Sequence, residues 1–490
     1  MMRIAYITAG AAGMYCGSCL HDNTLAAALM AKGHDVALIP TYTPTRTDEE
    51  DVSVDRVFYG AVNVYLEQKS ALFRHLPGAL RWLLDRPSLL NLVSGAGVSI
   101  EPRDLGSITL SMAKGEQGNQ RRDLEELVAW LRDSYRPDVV HITNSMLLGL
   151  AEPLKRELGV PVLCSLQGED IFLDELVEPY RTRVNEELRR HARAVDGLVA
   201  TCNYYADFMA GYLAVERERV HVVPLGIKLD GHAPPGAKGR PRDAGSAARP
   251  QDLRSAARAQ DLRSAARAQD AGSEARQAEG GAEDLVPQSS LATPAASAGA
   301  APFVVGYLAR ICPEKGLHIL VDGFARLAAE VGKQRLRLHV AGYLGKRDQA
   351  YFAGIGRQIE AHGLTDVFHH AGEVSREQKI AFLQGLDVLS VPTVYRDPKG
   401  LSVLEALANG VPVVQPAHGS FPEIIEATGG GLLMEPGSPE SLAAQLARLF
   451  DDPDLRRQLG RAGAEAVHAR FSDLDMAAAT LEVYQAVGDG

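Results

Sequence analysis

Residues 387–415 read DVLSVPTVYRDPKGLSVLEALANGVPVVQ. Two apolar runs, Asp387 to Val391 and Val411 to Gln415, are joined by a charged loop and a helix-forming stretch that Gly410 ends. The runs are continuous rather than alternating, as strands covered by helices on both faces require. The segment therefore predicts a strand, a helix and a second strand of one parallel sheet. The same rhythm repeats outward in this half of the chain, at Phe303 to Leu308, Leu338 to Ala341, Val367 to His370 and Gly431 to Met434. It also repeats in the first half, at Arg3 to Thr8, Asp35 to Pro40, Asp138 to Ile142, Val162 to Leu166, Leu198 to Thr201 and His221 to Pro224. The fold class predicted is α/β, with two Rossmann-like, doubly wound domains and a cleft between them.

A chain of 490 residues exceeds what one hydrophobic core serves, so two domains are also what length predicts. The first occupies residues 1–230 and the second 301–472. Between them, residues 231–300 are dominated by Ala, Arg, Gly, Ser, Pro and Gln. A nine-residue unit recurs there, as DAGSAARPQ from Asp243, DLRSAARAQ from Asp252 and again from Asp261, with a decayed copy from Asp270. One reading is a binding arm and the other a disordered insertion. Each unit offers at most one Leu to bury, which favours the insertion.

Hydrophobic residues make up 46% of the chain and charged residues 23%, and the net charge is -11. This balance repels a phosphate backbone, so no nucleic-acid partner is expected. The N-terminus runs straight into a strand without a secretory pattern, no run of about 18 apolar residues is present, and the cysteine count is the odd number five. A reducing cytoplasm is the expected location. The segment Phe73 to Leu92 mixes Arg74, Arg81 and Arg86 with Phe73, Trp82 and several Leu. It reads either as an acceptor lip or peripheral membrane patch, or as an amphipathic element packed on the first domain.

Chemistry concentrates at strand ends. After the first strand comes TAGAAGMYCGSC, Thr8 to Cys19, a small-residue loop of the kind that aims backbone amides at phosphate or sugar oxygens. Its spacing is not the dinucleotide fingerprint. Cys16 and Cys19 form a Cys-x-x-Cys, yet no thioredoxin-sized domain can be cut out around them and only His21 lies nearby as a third zinc ligand, so neither redox nor metal chemistry is expected there. In the second half, Arg310 and Lys315 stand five residues apart in a loop before a helix, where cations stabilise the charge growing on a departing diphosphate. Asp397 lies eight residues before Glu405, and the open backbone at Gly400 and Leu401 offers amides to an oxyanion. Glu405, one turn into the helix, offers a carboxylate to vicinal hydroxyls.

In order, the second half carries a strand, Arg310-x4-Lys315-Gly316, a strand ending in Ala341-Gly342, then Gly372-Glu373-Val374, Asp397-x7-Glu405, Gly410-Val-Pro-Val-Val414 and Gly419-Ser-Phe-Pro-Glu423. This resembles the family four retaining glycosyltransferases (group 1) of GT-B architecture. The first half resembles them more loosely, through Gly17, Lys32 to Val36, Asp138 to His141 and Val220 to Gly226. The resemblance implies a hexosyltransferase that uses a nucleotide-diphosphate sugar donor with retention, with no cofactor and no metal. Its acceptor, a carbohydrate, lipid or small molecule, is left unnamed. Arg310 and Lys315 would hold the diphosphate, Glu405 the ribose, and Asp397, Gly400 and Leu401 the transferred sugar. Gly372, Glu373 and Val374 would flank the base, and Gly17 would approach the diphosphate from the first domain. The final helix, residues 473–490, would return to the first domain, and Asp473-Leu474-Asp475 reads as its start rather than as a metal site.

His141, Thr143 and Asn144 fall on the acceptor side. Three positions depart from the family pattern: Asp397 stands where Glu is usual, Lys399 where an aromatic residue is frequent, and Thr143 where a second His is frequent. Two rival readings share the fold, a nucleotide-sugar epimerase and a catalytically silent nucleotide-sugar-binding relative.

Overall fold

A computed structural model describes residues 1–10, 17–41, 47–54, 102–232 and 301–488. The nine-residue repeat, Cys16 and the Phe73 to Leu92 segment lie outside the described residues. Each half holds a six-stranded sheet whose strands all pair in parallel. The first contains β1 (Arg3–Thr8), β2 (Asp35–Pro40), β3 (Val139–Ile142), β4 (Val162–Leu166), β5 (Gly197–Ala200) and β6 (Val220–Val222), in the order β2-β1-β3-β4-β5-β6. The second contains β7 (Phe303–Leu308), β8 (Leu336–Ala341), β9 (Phe368–Gly372), β10 (Val388–Leu389), β11 (Val413–Pro416) and β12 (Gly431–Met434), in the order β12-β11-β10-β7-β8-β9. The two Rossmann-like α/β halves predicted from the strand rhythm are thus present.

The central strands are apolar on both faces because both faces are covered. Ile4, Ala5, Tyr6 and Ile7 are fully buried, as are Val305, Tyr307, Val388 and Leu389. Such two-sided burial, worth about 1.5–3 kcal/mol per large side chain, is what the continuous apolar runs encode. It also brings every loop that follows a strand to the carboxyl edge of its sheet.

The two halves share apolar contacts through the crossing segments. Ile227 donates to the Phe471 carbonyl at 2.9 Å, and Asp473 donates to the Ile227 carbonyl at 2.9 Å. The helix Asp473–Gly488 then lies on the first half, where Met476, Ala477 and Tyr484 are buried. Among the described residues, no helix is long and apolar enough to cross a membrane.

Candidate active site

In each sheet the chain reverses its direction of travel at one gap, between β1 and β3 in the first and between β7 and β10 in the second. Loops leaving the two strands at such a gap diverge and open a crevice at the carboxyl edge. Arg310 and Lys315 follow β7, whereas Tyr395, Asp397, Lys399 and Gly400 follow β10. The crevice therefore collects residues that are far apart in sequence.

Lys315 ends a short 3-10 turn, Pro313–Lys315, and Gly316 follows with φ 72°. A Cβ on Gly316 would lie 1.9 Å from the Pro392 carbonyl oxygen, so only glycine allows the β7 loop to press against the β10 loop. This contact delivers Lys315 to Asp397. Its Nζ donates to Asp397 Oδ2 at 2.6 Å and to the Tyr395 hydroxyl at 2.5 Å, and that hydroxyl donates to the same Oδ2 at 3.0 Å. The other oxygen, Oδ1, accepts from the amides of Lys399 at 2.9 Å and Gly400 at 3.2 Å. Burial would push the Asp397 carboxyl up, but the Lys315 ammonium and these amides outweigh it and hold the group well below the usual carboxylate range. Burial would likewise lower the Lys315 ammonium, and Asp397 with Tyr395 holds it above its ordinary value instead. The result is a fixed, fully charged pair, screened from water.

Asp397 thereby closes its own turn, a local pattern that suits the short side chain of Asp. The Gly400 amide, expected to face a ligand, is held by Asp397, and Gly400 itself sits at φ 64° at the start of the helix Leu401–Ala408. Leu401 is half-buried and lines a cavity between the halves together with Thr24, Glu49, Lys228, Arg376 and Glu405. Glu405 is 5% exposed, and its Oε1 accepts an ion pair from Lys379 at 2.6 Å. Arg310 is exposed beyond the end of β7. Gly372 closes β9, Glu373 is exposed and Val374 packs on the core.

The first half meets this loop at several points. Gly17 starts the helix Gly17–Ala31, is exposed, and leaves open space where a Cβ would stand. The next residue, Ser18, accepts a hydrogen bond from Lys399 Nζ at 2.7 Å, and Gln167 Oε1 accepts a second at 2.8 Å. Gln167 Nε2 in turn donates to Asp22 Oδ1 at 2.6 Å, and Thr8 donates to Asp22 Oδ2 at 2.7 Å. Asp22 is 1% exposed. Burial would raise its carboxyl, yet hydrogen bonds from His21, Thr8 and Gln167 hold it below its ordinary value. A polar chain therefore runs from Lys399 in one half to an ionised carboxylate inside the other. Beside it, Thr201 donates to the Pro398 carbonyl at 2.6 Å. Glu423 caps the helix Asn203–Leu213 of the opposite half, accepting from the amides of Asn203 at 2.9 Å and Tyr204 at 2.6 Å.

The acceptor-side residues read from sequence are engaged within the first half. His141 is buried, with Nδ1 2.7 Å from the Tyr484 hydroxyl and Nε2 2.8 Å from Ser165 Oγ. Thr143 is buried and donates its amide to the Ile7 carbonyl. Asn144 caps the turn Ser145–Leu150 by accepting from the Met146 amide at 2.9 Å. Sequence reasoning missed Tyr395, Lys379, Gln167, Asp22 and Glu423. Two of them left a signal: Glu423 ends the Gly419-Ser-Phe-Pro-Glu423 motif, although no contact was assigned to it, and Asp22 is part of the polar run His21-Asp22-Asn23-Thr24 within an otherwise apolar helix.

Two family models divide the chain much as its two sheets do. Residues 23–226 match the glycosyl transferase 4-like domain, and residues 296–466 match the glycosyl transferases group 1. Among curated relatives, the chain is 33% identical over 174 residues to the MMP alpha-(1->4)-mannosyltransferase of Mycolicibacterium hassiacum, covering 35% of this chain and 40% of that protein. It is 32% identical over 183 residues to the D-inositol 3-phosphate glycosyltransferase of Streptomyces griseus, covering 37% of this chain and 38% of that protein. These matches thus span about two fifths of the length of the curated relatives. Sucrose-phosphate synthase from Thermosynechococcus elongatus shares the fold along 99% of both chains, with a TM-score of 0.65 and 18% identity. HepE of Anabaena, solved in complex with UDP, does so over 99% of this chain and 100% of its own, with a TM-score of 0.61 and 17% identity. With its two matched halves, its parallel sheets and its whole-length likeness to GT-B structures, this chain belongs to the group 1 glycosyltransferases of family four type.

Proposed function

We propose that the protein transfers a hexose-type sugar from a nucleoside diphosphate sugar to an acceptor hydroxyl, with retention at the anomeric carbon and without a metal. The observation that carries the reading is the largely buried Lys315–Tyr395–Asp397 cluster at the second switch point, facing the Ser18 turn of the first half through Lys399. In the reaction, the bond from the anomeric carbon to the diphosphate oxygen breaks. The acceptor oxygen bonds to that carbon on the same face, and the acceptor proton leaves with the diphosphate. As that bond breaks, positive charge develops on the sugar and negative charge grows on the departing phosphate, and a cation already fixed in a largely buried site stabilises the latter without reorganisation. Arg310, exposed at the rim, supplies a second cation. Closure of the halves around the donor limits its hydrolysis.

HepE is described with UDP and with UDP-glucose, which supports beginning with uridine donors. The test incubates the full chain with a panel of nucleoside diphosphate sugars and candidate acceptors, following nucleoside diphosphate release and product mass. Acceptor-dependent release with a product heavier than the acceptor by one sugar is expected. A sugar inverted at one centre without release would instead make the protein an epimerase, and nucleotide binding without turnover would make it a silent relative.

A further inference from the structure

Lys379 lies in the helix Arg376–Gln384, which Ser375 and Gln378 start with a reciprocal capping box. Its side chain is 8% exposed, and its Nζ lies 2.6 Å from Glu405 Oε1 and 2.6 Å from Asp48 Oδ2. An ammonium this deep is tolerated only between carboxylates. Burial would lower it, and Glu405 with Asp48 outweighs the burial, so the lysine stays charged.

Asp48 comes from the opposite half, on a turn held firmly to the first helix. Asn23 grips that turn twice, donating to the Glu50 carbonyl at 2.9 Å and accepting from the Val52 amide at 3.0 Å. Thr24 donates to Glu49 Oε2 at 3.0 Å. Glu49 Oε1 lies 3.7 Å from Arg376, which also donates to the carbonyls of Lys228 at 2.9 Å and Asp230 at 2.8 Å where the chain leaves the first half. Two carboxylates of one half thus meet two cations of the other beside Glu405.

We propose that Lys379 is a positioning residue for Glu405, fixing one carboxylate oxygen so that the other is presented to the vicinal hydroxyls of the donor ribose, and that Asp48 locks Lys379 in place when the halves close. The inference rests on the donor reading above. Without the ammonium, the Glu405 carboxylate would be free to rotate, and that change spoils a two-point hydrogen bond to a diol. Because Asp48 belongs to the other half, ribose recognition and closure depend on the same ion triad. A residue expected to touch no part of the donor should therefore control affinity for it.

The test uses the full chain and whichever of uridine, guanosine or adenosine diphosphate binds the native protein best, alongside its 2′,3′-dideoxy counterpart. Hydrogen bonds to a charged group should favour the ribonucleotide by about 10- to 100-fold. Lys379→Met should shrink that ratio towards one, Asp48→Asn should reduce it severalfold, and Lys379→Arg should keep most of it. In turnover assays, donor KM should rise more than kcat falls. An unchanged ratio in Asp48→Asn and Lys379→Met would overturn the proposal, and so would lowered stability with the ratio intact, which marks a purely structural ion pair. If Lys379→Met does not fold, Asp48→Asn decides. Should the native chain bind no nucleoside diphosphate at all, the donor reading itself fails, which is a different result.

Discussion

The ammonium of Lys399 lies 2.7 Å from the hydroxyl of Ser18, a residue 381 positions away in the chain. With Gln167 as its second partner, it joins the loop that carries Asp397 to the turn that carries Gly17. Lys399→Met keeps the length of the side chain and removes its charge, so stability should fall by about 1.5–3 kcal/mol. Gln167→Leu should act through the same chain. Urea unfolding of both single variants and the double variant checks this, with the double costing clearly less than the sum. Additive losses would mean that the two residues act separately.

Asp397 and Lys315 form a largely buried pair in which each oxygen of the carboxylate has its own partners. Removing one member leaves the other charged and unpaired, which costs about 3–5 kcal/mol. Asp397→Ala should therefore lose stability as well as turnover. Asp397→Glu should not behave conservatively either. The longer arm cannot accept the Lys399 and Gly400 amides while meeting Lys315, and a loss on the order of 2 kcal/mol is expected from those bonds. Thermal unfolding of the two variants, set beside their turnover, tests both statements.

Burial drives the His141 imidazole down to about 3 and, with Arg376 and Lys379 nearby, the His232 imidazole down to about 4. In the unfolded chain both titrate near 6.5. Below that pH the unfolded state binds more protons than the folded one, so stability is lost as pH falls from 6.5 towards 4. Each histidine contributes up to about 1.4 kcal/mol per pH unit in that window. Urea unfolding at pH 7 and pH 5 should show the loss, and His141→Gln should flatten the slope. A stability that does not change across this range would contradict the buried, neutral imidazole.

Much of the fold was legible because strand burial on two faces leaves a local mark. Arg3–Thr8, Asp35–Pro40, Val162–Leu166, Phe303–Leu308 and Gly431–Met434 begin and end where their apolar runs do. The run expected from Asp387 to Val391 is shorter as a strand, Val388–Leu389, because the Val391 amide turns to the Gln415 side chain at 3.3 Å. The strand expected from Val411 starts at Val413 instead, since the Val411 amide closes the preceding helix on the Ala406 carbonyl. The sequence offers candidate site residues but not their pairs. Lys315 finds Asp397 82 positions away, and no period or spacing encodes which distant partner a charge takes. Lys379 reads as an ordinary helical lysine until the tertiary structure sets it between Glu405 and Asp48.

The most direct test of the donor reading compares Lys315→Ala with Glu405→Ala in the same assay, using the best nucleotide sugar for turnover and its nucleoside diphosphate for binding. A cation that stabilises charge developing only as the bond breaks acts on the transition state, whereas a ribose contact acts equally before and during reaction. Lys315→Ala should therefore lower kcat by on the order of 100-fold with a smaller change in donor affinity, and Glu405→Ala should weaken binding while sparing kcat. Turnover left intact by Lys315→Ala, or a native protein that no nucleoside diphosphate stabilises, would contradict the account.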